Sequence, residues 1–160
     1  LGTPIRLPAA RDLYSAGLTI VSTDRYGKAD NADRLGHAPA GIAHAKRGWE
    51  PHTAAGGPAG APVYVSIDDD PSHDQDKQLV ATYLRAREPV LGHRREGVYA
   101  NSKTIDPAVQ DGTGSYCRQH NLGAPAGFTH PAAQLHQVEI ATREVAGVGE
   151  ILQPQFGEWY

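Results

Sequence analysis

Three consecutive carboxylates, Asp68, Asp69 and Asp70, close the stretch PVYVSIDDDPS at residues 62–72. Neighbouring anions repel, so a turn alone is a poor reason to place three together. Val63, Val65 and Ile67 alternate with Tyr64, Ser66 and Asp68, the period of a strand whose two faces meet different surroundings. Pro71 ends the pairing. Asp68 therefore stands on the polar face at the end of a strand. Hydrolysis of a glycoside needs two carboxyl groups, one acting as acid and the other as base or nucleophile. Glu139, in QLHQVEI, is the second candidate, because Leu135, Gln137 and Glu139 share one side of a strand there. Asp69 and Glu150 are the alternative partners. Retaining chemistry would set the pair about 5–5.5 Å apart, and inverting chemistry about 6.5–9.5 Å. The structural alternative is helix capping, for which Asp70 and Ser72 are the better placed and Asp68 the less.

Other chemistries find less support. Eight histidines are present, without HxH or HExxH spacing, and Pro39 and Gly41 separate His37 from His44. No metal site is expected, and no cofactor. Ser-His-Asp catalysis lacks a GxSxG elbow. Cys117 falls within an apparent strand and reads as a small buried residue. AAGGPAG has no GKS or GKT ending and reads as a turn.

The elements that must carry the acids follow from periodicity. Residues 10–18 read as a short helix, 19–24 as a strand, and 30–39 as a loop or single turn. A helix is expected from about Ala40 to Trp49, then a loop over 53–62. The strand PVYVSID precedes the best helix, 73–91, with Leu79, Val80, Tyr83 and Leu84 as its apolar stripe. GVYAN at 97–101 is another alternating strand, with Tyr99 and Asn101 on one side. A short helix over 103–111 contains Pro107; strands at 114–121 and 134–140 follow, then an irregular tail. Strand and helix alternating in this way imply βα units and a parallel sheet. Such sheets hold ligands beyond the C-terminal ends of their strands, where Asp68, Asn101, Gln119, His120 and Glu139 fall.

The chain has 160 residues, 39 % apolar and 21 % charged, enough for one α/β domain over residues 1–160. A net charge of −3 without a basic stripe speaks against nucleic acid as a partner. No apolar run reaches the length of a membrane span, and one cysteine permits no intrachain disulfide. The chain begins with Leu1 and contains no Met, so it is expected to be a processed piece or part of a longer reading frame.

GVYANSKTID, together with APVYVSIDDDPS, HTAAGGPAGAP and THPAAQLHQVEI, resembles the glycoside-hydrolase-like domain of exported actinobacterial proteins, in particular its mycobacterial members. The likeness runs from about Leu1 to Trp159. It implies a (β/α)8 barrel of muramidase type, export by a twin-arginine signal, a cell-envelope location and a glycan substrate or ligand. It implies catalytic roles for Asp68 and Glu139. Asp69, Tyr99, Asn101, Gln119, His120 and Gln137 are implied as substrate-binding residues.

Departures from the family pattern shape the remaining expectations. Two upstream strand units are missing, with an acid on the first of them, and GVGEILQPQF skips most of the last strand. Pro107, Cys117, Arg118 and Leu122 replace family aromatics. A (β/α)8 barrel needs roughly 200 residues or more, so an incomplete barrel is expected, with free edges at 19–23 and 134–140 that invite self-association. The alternative function is a non-catalytic envelope module that binds glycan or protein with the same cleft; a decayed relative without activity is a third.

Overall fold

The computed structural model describes residues 4–25, 27, 29–140 and 148–152, the side chains of 29, 76, 77, 138–140 and 148–152 excepted. Six strands form one sheet in chain order: β1 Ser22–Asp24, β2 Val63–Ser66, β3 Glu96–Ala100, β4 Tyr116–Gln119, β5 Ala133–Ile140 and β6 Val148–Leu152. The first five run parallel, each beside the next, as the alternation of strand and helix implies. β6 runs antiparallel to β5. The tail expected to have lost its strand therefore forms one. Its direction follows from residues 141–147, too short a link for a parallel crossover, which takes about a dozen residues or more. The 134–140 edge expected to be free is thus covered by β6, while β1 pairs only with β2 among the described residues.

Helices cover one face. α1 spans Leu7–Ser15 with a proline in its first turn. α2, His37–Ala54, is longer than its sequence suggests. Pro39 lies in its first turn, where backbone N–H groups have no intrahelical acceptor and a missing one does no harm. The 73–91 helix is real but interrupted: a single turn α3, His73–Gln75, a π-helical segment over Asp76–Val80, then α4, Ala81–Leu91. α5 is Ser102–Gln110. Val65, Ile67, Val98, Ala100 and Cys117 face these helices and pack with Val80, Tyr83, Leu84, Ile105 and Ala108. Burial pushes the Cys117 thiol up to about 11, so it stays protonated and inert at neutral pH.

A charged cluster is buried in the same layer. Arg87 and Glu96 are both 0 % exposed, and Asp24 is 3 %. Arg87 donates through Nε to Glu96 Oε1 at 2.8 Å and through Nη1 to Asp24 Oδ2 at 3.1 Å. Its guanidinium also lies over the Tyr83 ring, 5.6 Å from the centroid. Arg47 reaches Asp24 at 3.4 Å and Asp33 at 3.2 Å. Three acids and two arginines thus tie β1 and β3 to α2 and α4.

The opposite face is concave. Tyr64, Tyr99 and Leu135 pack there with Val21 and Tyr116. Gly97 makes room for Tyr64: a Cβ at that position would come within 2.7 Å of the tyrosine ring. Arg118 on β4 donates to Thr23 Oγ1 on β1 at 3.2 Å, although two strands lie between them. In a flat sheet those strands would be about 14 Å apart. The contact requires a strongly curled sheet, as in a barrel wall.

No helix links β4 to β5; residues 120–132 return along the outer face as a loop. Side-chain hydrogen bonds take the place of helix packing. Gln119 donates to Phe128 O at 2.6 Å and accepts from His130 N at 2.7 Å. His136 meets Thr129 Oγ1 at 2.8 Å and Asn121 Oδ1 at 2.7 Å. This explains two buried polar side chains on strands whose neighbours carry apolar ones.

Candidate functional site

The C-terminal ends of β1 to β5 form a polar rim on the concave side. The three acids after β2 stand there, and each has its own cation. Asp68 pairs with Arg25, which follows β1. Asp69 accepts from Arg34 Nη1, 3.0 Å to Oδ1 and 2.8 Å to Oδ2. Asp70 accepts from Asn101 Nδ2 at 2.7 Å, and Lys103 Nζ lies 3.3 Å away. The repulsion within DDD is relieved by three cations drawn from three separate segments. None of these acids supplies a cap. Ser72 does, accepting from Gln75 N at 3.3 Å while Gln75 Oε1 accepts from Ser72 N at 2.9 Å, a capping box in miniature. A depression of ≈ 360 Å³ opens beside Arg34, Asp69, Asp70 and Gln75.

The concave face below the rim carries Tyr99, Arg118 and Gln137. Tyr99 donates its hydroxyl to Gln137 Oε1 at 2.5 Å, bridging β3 to β5. The Arg118 guanidinium lies 4.6 Å from the centroid of the Tyr99 ring. His120 packs against the other side of this cluster, 5.0 Å from Tyr99 between ring centroids. Its Nδ1 accepts from Leu122 N at 3.2 Å, which leaves Nε2–H to donate to Ile67 O at 2.9 Å. His120 is thereby held as a neutral buttress.

The structure thus brings Asp68, Asp69, Tyr99, His120 and Gln137 to one rim. Asn101 joins them in place but is committed elsewhere: it caps α5, accepting from Thr104 N at 2.9 Å, and holds Asp70. Gln119 is not among them. Its side chain lies on the helix side, fully buried in the loop bracket. Successive strand residues point to opposite faces, so Gln119 and His120 cannot share the cleft. Glu139 pairs with Gly149 in the backbone register, just past an irregularity after Gln137. Its side chain and that of Glu150 lie outside the described residues.

Arg25, Arg34 and Arg118 were not singled out in the sequence as site residues. Parity on β4 would have placed Arg118 on the face opposite Cys117; nothing local points to Arg25 or Arg34, whose partners are distant in sequence.

Replacing Asn101 by alanine is expected to lower stability by roughly 1–3 kcal/mol, because a helix cap and a donor to a carboxylate are lost together. Urea unfolding measures it. Asn101→Asp should restore only part of the loss, since it keeps the cap but sets a carboxylate beside Asp70.

No group of three or more His, Cys, Asp or Glu side chains suited to a metal occurs among the described residues. Among the described residues no helix is long and apolar enough to cross a membrane.

Comparison with known proteins adds identity to this geometry. The family model for the Rv2525c-like, glycoside hydrolase-like domain matches residues 2–153. A curated relative from Mycobacterium tuberculosis, named "Putative peptidoglycan hydrolase Rv2525c", is 61% identical over 163 residues, covering 99% of this chain and 68% of the relative. The crystal structure of the M. tuberculosis Tat-secreted protein Rv2525c with L-tartrate superposes with a TM-score of 0.93 at 61% identity, over 100% of this chain and 80% of that one. The same protein with HEPES gives 0.92 at 60% identity, with the same coverage. The parallel sheet, the acidic strand end and the matched span agree, and the chain belongs to the Rv2525c-like glycoside hydrolase-like domain family.

Proposed function

We propose that this domain acts on cell-wall glycan of the peptidoglycan type, cleaving or remodelling its glycosidic bonds outside the cytoplasm. The observation that carries the reading is the concave rim where Asp68 stands above Tyr99 and Gln137, in a chain 61% identical to a relative named for peptidoglycan hydrolysis. The curl that lets Arg118 touch Thr23 supports a sheet that is part of a (β/α)8 barrel lacking some of its strands. Export is supported by the Tat-secreted relative, and an envelope location is part of the proposal.

In this reading Glu139 is the proton donor to the glycosidic oxygen, and Asp68 is the carboxylate that stabilises or captures the oxocarbenium-like sugar. Water then supplies the hydroxyl of the new reducing end. The ion pair with Arg25 suits Asp68 to the charged role. Tyr99 and Gln137 offer hydrogen bonds to sugar hydroxyls, and Asp69 offers another from the rim.

The same ion pairs favour a second reading. Asp68, Asp69 and Asp70 all face cations, an arrangement that suits a rigid glycan- or protein-binding module with no turnover. Asp68→Asn and Glu139→Gln distinguish the two, assayed by release of reducing ends from peptidoglycan and by glycan binding. Turnover in the parent that is lost in both variants is the expected result. Binding without turnover in the parent, weakened by Asp68→Asn, selects the binding module. A parent that neither binds nor cleaves leaves an inactive relative and overturns both.

A further inference from the structure

Ser66, the last residue of β2, is 6% exposed, and its hydroxyl is buried without a hydrogen-bond partner among the described residues. Arg34, Arg87 and Glu96 also bury one polar atom without a partner, but each bonds through another. Ser66 has only the one. An unpaired buried hydroxyl costs free energy that alanine would not, so filling space does not explain a serine here. Its surroundings are those of the site. Val65 and Ile67 pack beneath the helices and Tyr64 on the concave face, so alternation turns Ser66 to the concave side. Its neighbour in register on β3 is Tyr99, whose hydroxyl is committed to Gln137. The ladder runs one residue past β2, with Ile67 N donating to Tyr99 O at 2.7 Å. Asp68 therefore stands above Ser66 on the same face, two residues or about 6.6 Å further along. A turn about χ1 leans Oγ along the strand, and a carboxylate oxygen of Asp68 leaning back can meet it. The Asp68 side chain is 17% exposed with Arg25, 47% exposed, against it. A sugar ring seated over this carboxylate displaces the arginine. A donor from below, out of the way of the sugar, then holds the direction of the carboxylate.

We infer that Ser66 is a positioning residue for Asp68: with glycan in the cleft, its hydroxyl donates to the Asp68 carboxylate and keeps the free oxygen aimed at the sugar. The inference rests on the glycan-cleaving reading above and adds a residue to it. Ser66 touches no substrate and takes no proton. Its hydroxyl gains a partner only in the occupied site, so it contributes to the reaction and not to the stability of the empty fold.

Release of reducing ends from solubilised peptidoglycan strands, followed across the acid range in the parent and in Ser66→Ala, tests this. The acidic limb of the kcat/KM profile reports the carboxylate that must be ionised. Loss of a donor to that carboxylate is expected to move the limb upward by about one pH unit, and to lower kcat about tenfold with KM little changed. The other charges of the rim, those of Arg25, Arg34, Asp69, Lys103 and Glu139 among them, are common to both proteins, so the difference reads the hydroxyl. Ser66→Thr keeps a hydroxyl and should keep the limb of the parent. Urea unfolding should find Ser66→Ala no less stable than the parent. A limb and a kcat that stay in place in Ser66→Ala would overturn the inference and leave glycan cleavage standing. A Ser66→Ala chain that loses stability or fails to fold would show a hydroxyl already bonded in the empty site, and would overturn it as well. A parent without turnover would remove both the inference and the reading beneath it.

Discussion

Arg87→Ala is expected to be among the most destabilising single substitutions in the chain. It removes the cation between Asp24 and Glu96, both buried beneath the helices. Deleting the cation of such a buried cluster costs roughly 3–5 kcal/mol, because each carboxyl left behind either stays charged without compensation or must take up a proton. That is a large share of the 5–15 kcal/mol, or about that, by which domains are usually stable. Arg47 remains 3.4 Å from Asp24 but no described contact takes it to Glu96, so Glu96 is the stranded partner. The loss should be smaller when Glu96 is already glutamine. A double-mutant cycle of Arg87→Met with Glu96→Gln, read by urea unfolding, should give a coupling of about 1–3 kcal/mol. Loss below about 1 kcal/mol for Arg87→Ala would mean that water reaches the cluster and screens it.

The same carboxyl gives stability an unusual dependence on pH. Burial pushes Glu96 up to about 7 from an ordinary 4.5, against the opposing pull of Arg87, with the charges of Glu88 and Asp24 adding to the rise. The folded state therefore holds this proton more tightly than the unfolded state does. Between pH 4.5 and about 7, the folded chain carries more protons at this site, so its contribution to stability falls as pH rises and then levels off. The size is on the order of 3 kcal/mol. His44, His52 and His136 act in the opposite sense: burial lowers each below the ordinary 6.5, so they favour the fold as pH rises through that value. The difference between parent and Glu96→Gln isolates the carboxyl. That difference should decline between pH 4.5 and 7; a flat difference would show that Arg87 keeps Glu96 ionised throughout.

The strands were the most legible part of the sequence. Tyr64–Ser66–Asp68 and Tyr99–Asn101 alternate with small apolar residues, and period 2 admits few other readings. α2 was shortened in the reading at both ends: Pro39 and Gly41 looked like breakers, though Pro39 sits where a helix tolerates proline, and the helix also continues past Trp49, through Pro51, to Ala54. The direction of β6 was open to counting: a link of residues 141–147 suits a hairpin better than a crossover. Alternation would also have separated Gln119 from His120. The cations at the rim were not legible. Arg25, Arg34 and Lys103 come from segments far from DDD in the chain, and only the fold brings them together. The partner acid, Glu139, was named from alternation and from the family likeness; it lies in β5, but the register shifts between Gln137 and Glu139, so alternation does not fix the face it takes.

The helix-free return from β4 to β5 has a consequence for motion. The apolar cluster under the helices reaches β4 only through Cys117, and beyond it the outer face is held by the side chains of Gln119 and His136. Cooperative opening units tend to divide where apolar packing stops. Amides of β4, β5 and the intervening loop should then exchange with solvent deuterium as one group, faster than those of β2 and β3, and without global unfolding. Tyr99 and Gln137 belong to different sides of that division, so the hydrogen bond between them would be the latch on which the cleft opens.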